Sequence, residues 1–158
     1  MSGNQHHYQV EVEWTGNQGT GTQNYRGYQR SHQIRVAGKP TLIGSADPSF
    51  HGDASQYNPE DLLIGALSAC HMMSYLHVAT VADVVVTAYT DAAEGTLVLE
   101  GMGGRFVEVV LHPRVTISAG SDVAKAEALH VDAHHVCFIA NSVNFPVRCE
   151  PRIVVADI

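Results

Sequence analysis

Apolar and polar residues alternate at the start of the chain. From residue 8 to residue 14, apolar side chains occupy every second position, with Gln or Glu between them. A period of two is typical of a strand with one buried face. A turn-rich segment, 16–21, follows, and further strands are predicted over 22–36 and 41–43. Residues 46–57 read as a loop.

A different pattern begins at Asn58-Pro59-Glu60. Asn can cap a helix, Pro suits the first helical position, and acidic residues there favour the positive end of the helix dipole. The segment that follows is apolar nearly all round as far as residue 81. We therefore expect a helix over 58–81 that is buried on most sides. Four polar residues within it favour a core helix over a membrane span: Ser68, His71, Ser74 and His77.

The second half of the chain returns to a strand pattern. Strands are predicted over 84–91, 96–100 and 106–117, with hairpin turns at 94–95 and 101–104. Ser121-Asp122 can cap a helix over 123–141, and a last strand over 148–155 carries Pro151, which favours a sheet edge. Three strands, a long helix, three strands, a helix and a strand make an α+β layout with antiparallel sheet.

Composition narrows the class of protein. A length of 158 residues with 45% hydrophobic content fits a single domain, 1–158. The nine basic residues form no stripe and the net charge is −7, so we expect no nucleic-acid partner. The polar N-terminus shows no signal peptide, and three cysteines without a CxxC pattern argue against a secreted disulfide framework. We expect a soluble, cytoplasmic protein that does not bind a membrane.

Two cysteines are the main candidates for chemistry. Cys70 and Cys137 each lie in a segment with a helical pattern, 67 positions apart, so local geometry cannot pair them. If the fold brings them together, they can form a peroxide-reducing thiol pair. If it does not, they are two core thiols, the commoner role of a cysteine in an apolar helix.

Three stretches resemble the OsmC/Ohr family of thiol peroxidases: NPEDLL at 58–63, SAC at 68–70, and Cys137 followed by NSVNFPV at 141–147. The resemblance implies an intertwined homodimer in which antiparallel sheets wrap two long central helices. It implies reduction of organic hydroperoxides to alcohols without a metal or organic cofactor. The reductant would be an external thiol, for example a dithiol such as dihydrolipoamide.

The same resemblance assigns roles to residues. Cys70 takes the position of the peroxidatic cysteine, Cys137 that of the resolving cysteine, and Glu60 that of the family's glutamate. A reactive thiolate needs a nearby cation, and the family supplies it with an arginine. Here that arginine falls on Arg26 or Arg30, with Arg26 favoured. An apolar lining for an alkyl or fatty peroxide is expected from Met72, Met73, Tyr75 and Phe138.

Helix geometry places a limit on Glu60. It precedes Cys70 by ten residues, about 15 Å along a straight helix. The two side chains cannot meet within one subunit unless the helix breaks. Glu60 is therefore expected to act from the other subunit of the dimer or through Arg26.

Two alternatives stay open. His130, His134 and Cys137 share one helix face and, with Cys70, could form a four-ligand zinc site. A non-catalytic protein of the same fold could instead hold a lipid-like ligand in the apolar cavity. The remaining candidates receive plain structural interpretations: Cys149 as a structural thiol, and His71 and His77 as polar residues at a helix edge.

Overall fold

The computed structural model describes residues 3–157. The chain folds into two compact units, one up to Leu62 and the other from Leu63 onward. The first unit holds a three-stranded antiparallel sheet in the order β1-β2-β3. Its strands are β1 (Glu11–Trp14), β2 (His32–Arg35) and β3 (Leu42–Gly44), followed by a 3-10 turn at Pro48–Phe50.

Two expectations for the first unit were wrong. The strand predicted over 22–36 is confined to β2, because most of 19–28 consists of turns and bends. At the start of this region, the Asn17 side-chain oxygen accepts hydrogen bonds from the N–H groups of Gly19 and Gly21. The strand near the N-terminus has no buried face, since Val12 is 64% exposed and all of β1 is exposed.

The long helix α1 (Pro59–Val81) forms where the sequence predicts it. Asn58 caps it as expected: its side-chain oxygen accepts the Asp61 N–H, and the Asp61 carboxylate accepts the Asn58 N–H in return. This reciprocal pair satisfies two N–H groups that the first turn leaves free. By length and composition α1 would also span a membrane, a weak criterion that core helices meet as well.

Only one stripe of α1 is buried in the chain. Its members recur at every fourth residue: Leu67, His71, Tyr75 and Ala79. Apolar residues elsewhere on the helix are open, Met73 being 60% and Val81 73% exposed. The expectation of burial on most sides was therefore wrong for a single chain.

The second unit contains two three-stranded sheets, in the orders β4-β7-β9 and β5-β6-β8. The strands are β4 (Val86–Asp91), β5 (Glu94–Glu100), β6 (Gly103–Leu111), β7 (Pro113–Ile117), β8 (Val147–Cys149) and β9 (Arg152–Val155). The helix α2 (Val123–Val136) lies between β7 and β8 in the chain. The α+β class is confirmed, but the sheets are mixed, because β8 and β9 pair in parallel with β6 and β7.

Both long strands predicted for this unit are interrupted. The strand over 106–117 breaks at His112, whose N–H leaves the ladder and donates to Asp91 Oδ1 at 2.7 Å. The strand over 148–155 breaks next to Pro151, which has no N–H to donate. Each break sends the two halves to different sheets.

The second helix is shorter than predicted. It ends at Val136, and Cys137 caps it with an extended backbone, instead of lying inside a helix that reaches residue 141. The Asn141 side chain donates to the His135 carbonyl at 3.0 Å, which satisfies an acceptor at the helix end. A 3-10 turn, Ala140–Ser142, follows.

Candidate active site

The structure brings the two predicted thiols together. Cys70 lies on α1 and is half-buried, whereas Cys137 lies at the end of α2 and is fully buried. Both are free thiols. Burial raises the pKa of Cys137 to about 11, and a side-chain hydrogen bond with Cys70 acts in the same direction. Cys137 is therefore protonated at neutral pH and lies beside a more accessible thiol.

Two backbone groups after α2 were not foreseen from the sequence. The N–H groups of Ile139 and Ala140 hydrogen-bond to the Cys137 sulfur and lower its pKa, against the larger effect of burial. They point at the sulfur because the chain turns into the 3-10 segment directly after the cap. A sequence signal for this early end of α2 was present in Asn141 and Ser142, because their side chains favour helix ends and turns over helix interiors.

Cys70 opens onto an apolar groove of about 830 Å³. The lining is mostly aliphatic and aromatic, and comes from α1 and from the region at and after the end of α2: Cys70, Met73, Ser74, His77, Val78, Val81, Ala82, Leu129, Asp132, Val136 and Phe138. On α1, positions three or four residues apart share a face with Cys70. An apolar groove of this size can take a drug-sized or fatty molecule.

Only part of the predicted substrate lining lies in this groove. Met73 and Phe138 line it, and Met72 is half-buried outside it. Tyr75 does not belong to the lining, because it is fully buried on the core stripe of α1 and donates its hydroxyl to the Ala126 carbonyl at 2.8 Å.

The sequence pattern predicted a strand for the two candidate arginines, and this was wrong. Both lie in a turn region instead. The Arg30 guanidinium donates to the carbonyls of Tyr25 and Tyr28, both at 2.6 Å, and lies 4.5 and 4.1 Å from the centres of their rings. Arg26 is exposed, and its backbone N–H bonds to the Asn24 side chain. Arg30 is therefore held by local contacts that Arg26 does not share.

Glu60 lies in the first turn of α1, as predicted, and is half-buried. Acidic side chains there are stabilised by the positive end of the helix dipole. This explains its position without any catalytic role, so that role stays a prediction.

The predicted zinc ligands do not converge. His130 Nδ1 instead lies 3.0 Å from His71 Nε2, and Cys149 Sγ lies 3.6 and 3.7 Å from these two nitrogens. Among residues 3–157, these three residues are the group with ligand atoms close enough for one metal ion. His71 is buried and not at a helix edge, because its position on α1 belongs to the core stripe.

Burial makes this cluster uncharged. It lowers the pKa of His130 to about 3, and burial followed by the nearby His134 side chain lowers the pKa of His71. Burial raises the pKa of the Cys149 thiol to about 12. Both imidazoles and the thiol are therefore neutral around pH 7, as expected for polar groups in a protein interior.

Comparisons with known proteins identify the family and the fold. A family model described as OsmC-like protein matches residues 52–152. An OsmC-like protein of unknown function from Vibrio cholerae is 30% identical, with a TM-score of 0.84 over 93% of this chain and 99% of that one. An organic hydroperoxide resistance protein from Legionella pneumophila is 22% identical, with a TM-score of 0.67 over 96% and 100% of the two chains.

A further organic hydroperoxide resistance protein, from Elizabethkingia anophelis, is 20% identical, with a TM-score of 0.66 over 96% of this chain and 99% of that one. Among functionally curated proteins, no sequence matches significantly. At these lower identities, the likeness shows a shared fold and not a shared activity.

Proposed function

The chain belongs to the OsmC family, and we propose that it is a thiol-dependent peroxidase that reduces organic hydroperoxides to alcohols. One observation carries the proposal: the half-buried Cys70 thiol, open to an apolar groove, lies beside the buried Cys137 thiol and acts on its pKa. Solved relatives of the same fold from Legionella pneumophila and Elizabethkingia anophelis are organic hydroperoxide resistance proteins, which supports the same class of substrate.

The first step uses Cys70 as the nucleophile. Its thiolate attacks one oxygen of the hydroperoxide, the O–O bond breaks, and the alkoxide leaves and takes up a proton to become the alcohol. Cys70 is oxidised to a sulfenic acid. An apolar groove beside the sulfur favours alkyl and fatty hydroperoxides over hydrogen peroxide, because their chains gain from burial.

Cys137 resolves the sulfenic acid. Its sulfur attacks the Cys70 sulfur, the S–O bond breaks, and the hydroxide leaves as water with the Cys137 proton. The product is a Cys70–Cys137 disulfide, which an external dithiol such as dihydrolipoamide reduces in two exchange steps. The raised pKa leaves Cys137 with little thiolate, so it supports Cys70 as the thiol that attacks the peroxide, and Cys137 must lose its proton when it attacks the sulfenic acid.

Arg26 is the proposed activator of Cys70, oriented by Glu60. A guanidinium lowers the pKa of a neighbouring thiol, and a carboxylate can hold it by a bidentate pair. Arg30 is the weaker candidate, because its guanidinium already binds two carbonyls and lies over two tyrosine rings.

We further propose a cytoplasmic homodimer of single-domain subunits that works without a metal or organic cofactor in the peroxidase cycle. Large apolar side chains exposed outside the groove, such as Val10, Val12 and Leu99, support association with a second copy. If Glu60 acts from the partner subunit, mixed dimers of Cys70→Ser and Glu60→Ala subunits regain activity above both parents. No activity above the parents would contradict a shared site.

The test of the peroxidase proposal is chemical. One equivalent of cumene hydroperoxide is added to the reduced protein, free thiols are blocked at once, and the peptides are identified by mass spectrometry. We expect a Cys70–Cys137 disulfide in the wild type, and in Cys137→Ser a sulfenic acid at Cys70 that dimedone traps. Unmodified thiols at both positions would contradict the enzyme and favour the other candidate that the apolar groove supports, a lipid-binding protein of the same fold.

A further inference from the structure

A second cluster of chemically active side chains lies apart from the thiol pair in the second unit. Three elements contribute to it: His71 from α1, His130 from α2 and Cys149 from the end of β8. His71 is 1% and His130 3% exposed. Side chains from three separate elements are brought together only by the fold, so the cluster is a built feature and not a local sequence effect.

The separations of its ligand atoms fit one metal ion. A tetrahedral zinc ion with bonds of about 2.0 Å to nitrogen and about 2.3 Å to sulfur holds two nitrogens about 3.3 Å apart, and nitrogen and sulfur about 3.5 Å apart. The two nitrogens here are 3.0 Å apart, and the sulfur lies 3.6 and 3.7 Å from them. Two imidazoles and one thiolate are a donor set that zinc favours.

The imidazoles are hydrogen-bonded to each other in the metal-free arrangement. The angle between the ring planes is 8° and the ring centres are 5.3 Å apart. His71 Nε2 and His130 Nδ1 therefore face one another. Binding a tetrahedral cation requires each ring to turn by roughly 35°, so that both lone pairs meet at a common point. It also requires the shared hydrogen to move to the outer nitrogen of its ring, and the Cys149 thiol to release its proton to solvent.

Two carboxylates act on the cluster in addition to burial, which is the larger influence. Those of Asp91 and Glu150 raise the pKa of the Cys149 thiol, and that of Asp91 raises the pKa of His71. The outer nitrogen of His130, Nε2, is buried without a hydrogen-bond partner among the described residues, but it is not one of the ligand atoms.

A cavity reaches two of the three residues. It has a volume of about 440 Å³, and its lining includes His130 and Cys149 together with two further groups that can bind metal, Glu127 and His134. A three-ligand zinc site keeps its fourth position for water or another ligand. The cavity offers a path of entry for the ion and space for that fourth ligand.

We propose that His71, His130 and Cys149 form a binding site for one zinc-class divalent cation, separate from the Cys70–Cys137 pair. The site takes the cation through two imidazole nitrogens and one thiolate, and its fourth position faces the cavity lined by Glu127 and His134. The proposal does not depend on peroxidase activity, because the two sites share no ligand.

Cobalt(II) is the probe, because its thiolate and tetrahedral absorption bands report both the ligand and the geometry. The full chain is reduced, stripped with a chelator and titrated with cobalt(II), and zinc then displaces the cobalt. We expect one equivalent per chain, with a thiolate charge-transfer band and intense tetrahedral d–d bands. Absence of binding to the folded wild-type chain would overturn the proposal.

Two variants locate the metal. Cys149→Ser is expected to lose the charge-transfer band and to weaken cobalt binding by more than roughly 100-fold. A residue that only orients a metal ligand costs less than this when it is lost. The double variant Cys70→Ser/Cys137→Ser is expected to keep the band, since its remaining thiol is Cys149. Loss of the band in the double variant, or its retention in Cys149→Ser, would place the metal on the thiol pair and overturn the proposal.

The melting temperature, measured with and without zinc, distinguishes loss of the metal site from loss of the fold. Zinc stabilises a chain that binds it only when folded, so the melting temperature of the wild type is expected to rise with zinc. His130→Gln keeps a polar side chain but loses the imidazole ligand. If this variant melts cooperatively without zinc, we expect no shift on adding it, and an unchanged shift would contradict the site. If it does not fold, the matched variant His71→Gln serves the same comparison.

Discussion

The thiol pair and the histidine cluster are built from neighbouring residues yet are opposite in character. Cys70 and His71 are consecutive on α1, about 100° apart around the helix axis. Cys70 opens onto an apolar groove, whereas His71 belongs to the buried stripe. One face therefore leaves a thiol open to an apolar groove, and the other packs two imidazoles and a half-buried thiol into an uncharged cluster. The comparison shows that residue type alone does not predict the surroundings of a cysteine.

The largest expected effect is loss of the nucleophile. Cys70→Ser removes the thiol that lines the groove and is expected to lower kcat/KM for cumene hydroperoxide by at least about 10³-fold. Ala69→Ser is the matched control: it creates the same side chain on the exposed neighbouring position of α1. Steady-state peroxide consumption with a dithiol measures both. Turnover in Cys70→Ser equal to that of Ala69→Ser would assign the chemistry to another residue.

The second prediction concerns Cys137. Its pKa of about 11, against an ordinary 9.0, leaves about 100-fold less thiolate at neutral pH. Alkylation of Cys137 by iodoacetamide, followed by peptide mass spectrometry, is expected to be at least about 100-fold slower in the native protein than in the unfolded chain. Because the folded pKa is raised, the native rate should keep rising beyond pH 10, where the unfolded rate has levelled. Equal rates at pH 8 would mean that Cys137 is not buried in solution.

The third prediction sharpens the role of the groove. Phe138→Ala removes an aromatic side chain from the lining, and loss of such contacts to an apolar substrate costs about 1–3 kcal/mol. We expect kcat/KM for cumene hydroperoxide to fall about tenfold, and that for tert-butyl hydroperoxide to fall less. Thr80→Ala, on an exposed position of α1 outside this groove, is the control. A uniform fall for both peroxides would argue against binding of the substrate's apolar part at Phe138.

The smallest effect tests the buried face. Tyr75 donates its hydroxyl to the Ala126 carbonyl, whereas the Tyr89 hydroxyl is buried without a partner in the described part of the chain. Tyr75→Phe is expected to lower the free energy of unfolding by about 1 kcal/mol, and Tyr89→Phe to leave it unchanged or raise it. Urea unfolding of the metal-free proteins at one concentration measures both. A larger loss in Tyr89→Phe would reveal a partner for its hydroxyl in solution.

Much of the backbone could be predicted from local signals. Asn58, Pro59 and the acidic residues after them predict the start of α1, since capping and the helix dipole act within one turn. The end of α2 was missed, because apolar periodicity continues past the residue where Cys137 adopts an extended backbone. The breaks at His112 and near Pro151 were missed for a related reason: a ladder can end wherever an N–H finds another partner or is absent.

The candidate site divides in the same way. The sequence by itself determined which residues can do chemistry, because it fixes where each thiol, imidazole and guanidinium stands in the chain. It also determined α1 and the family, through short motifs along the helix. Only the tertiary structure decided which groups meet: Cys70 with Cys137, and His130 with His71 and Cys149 instead of with the thiol pair. The physical reason is that contacts between residues far apart in the chain, and the burial that shifts their pKa values, arise only when separate elements pack together.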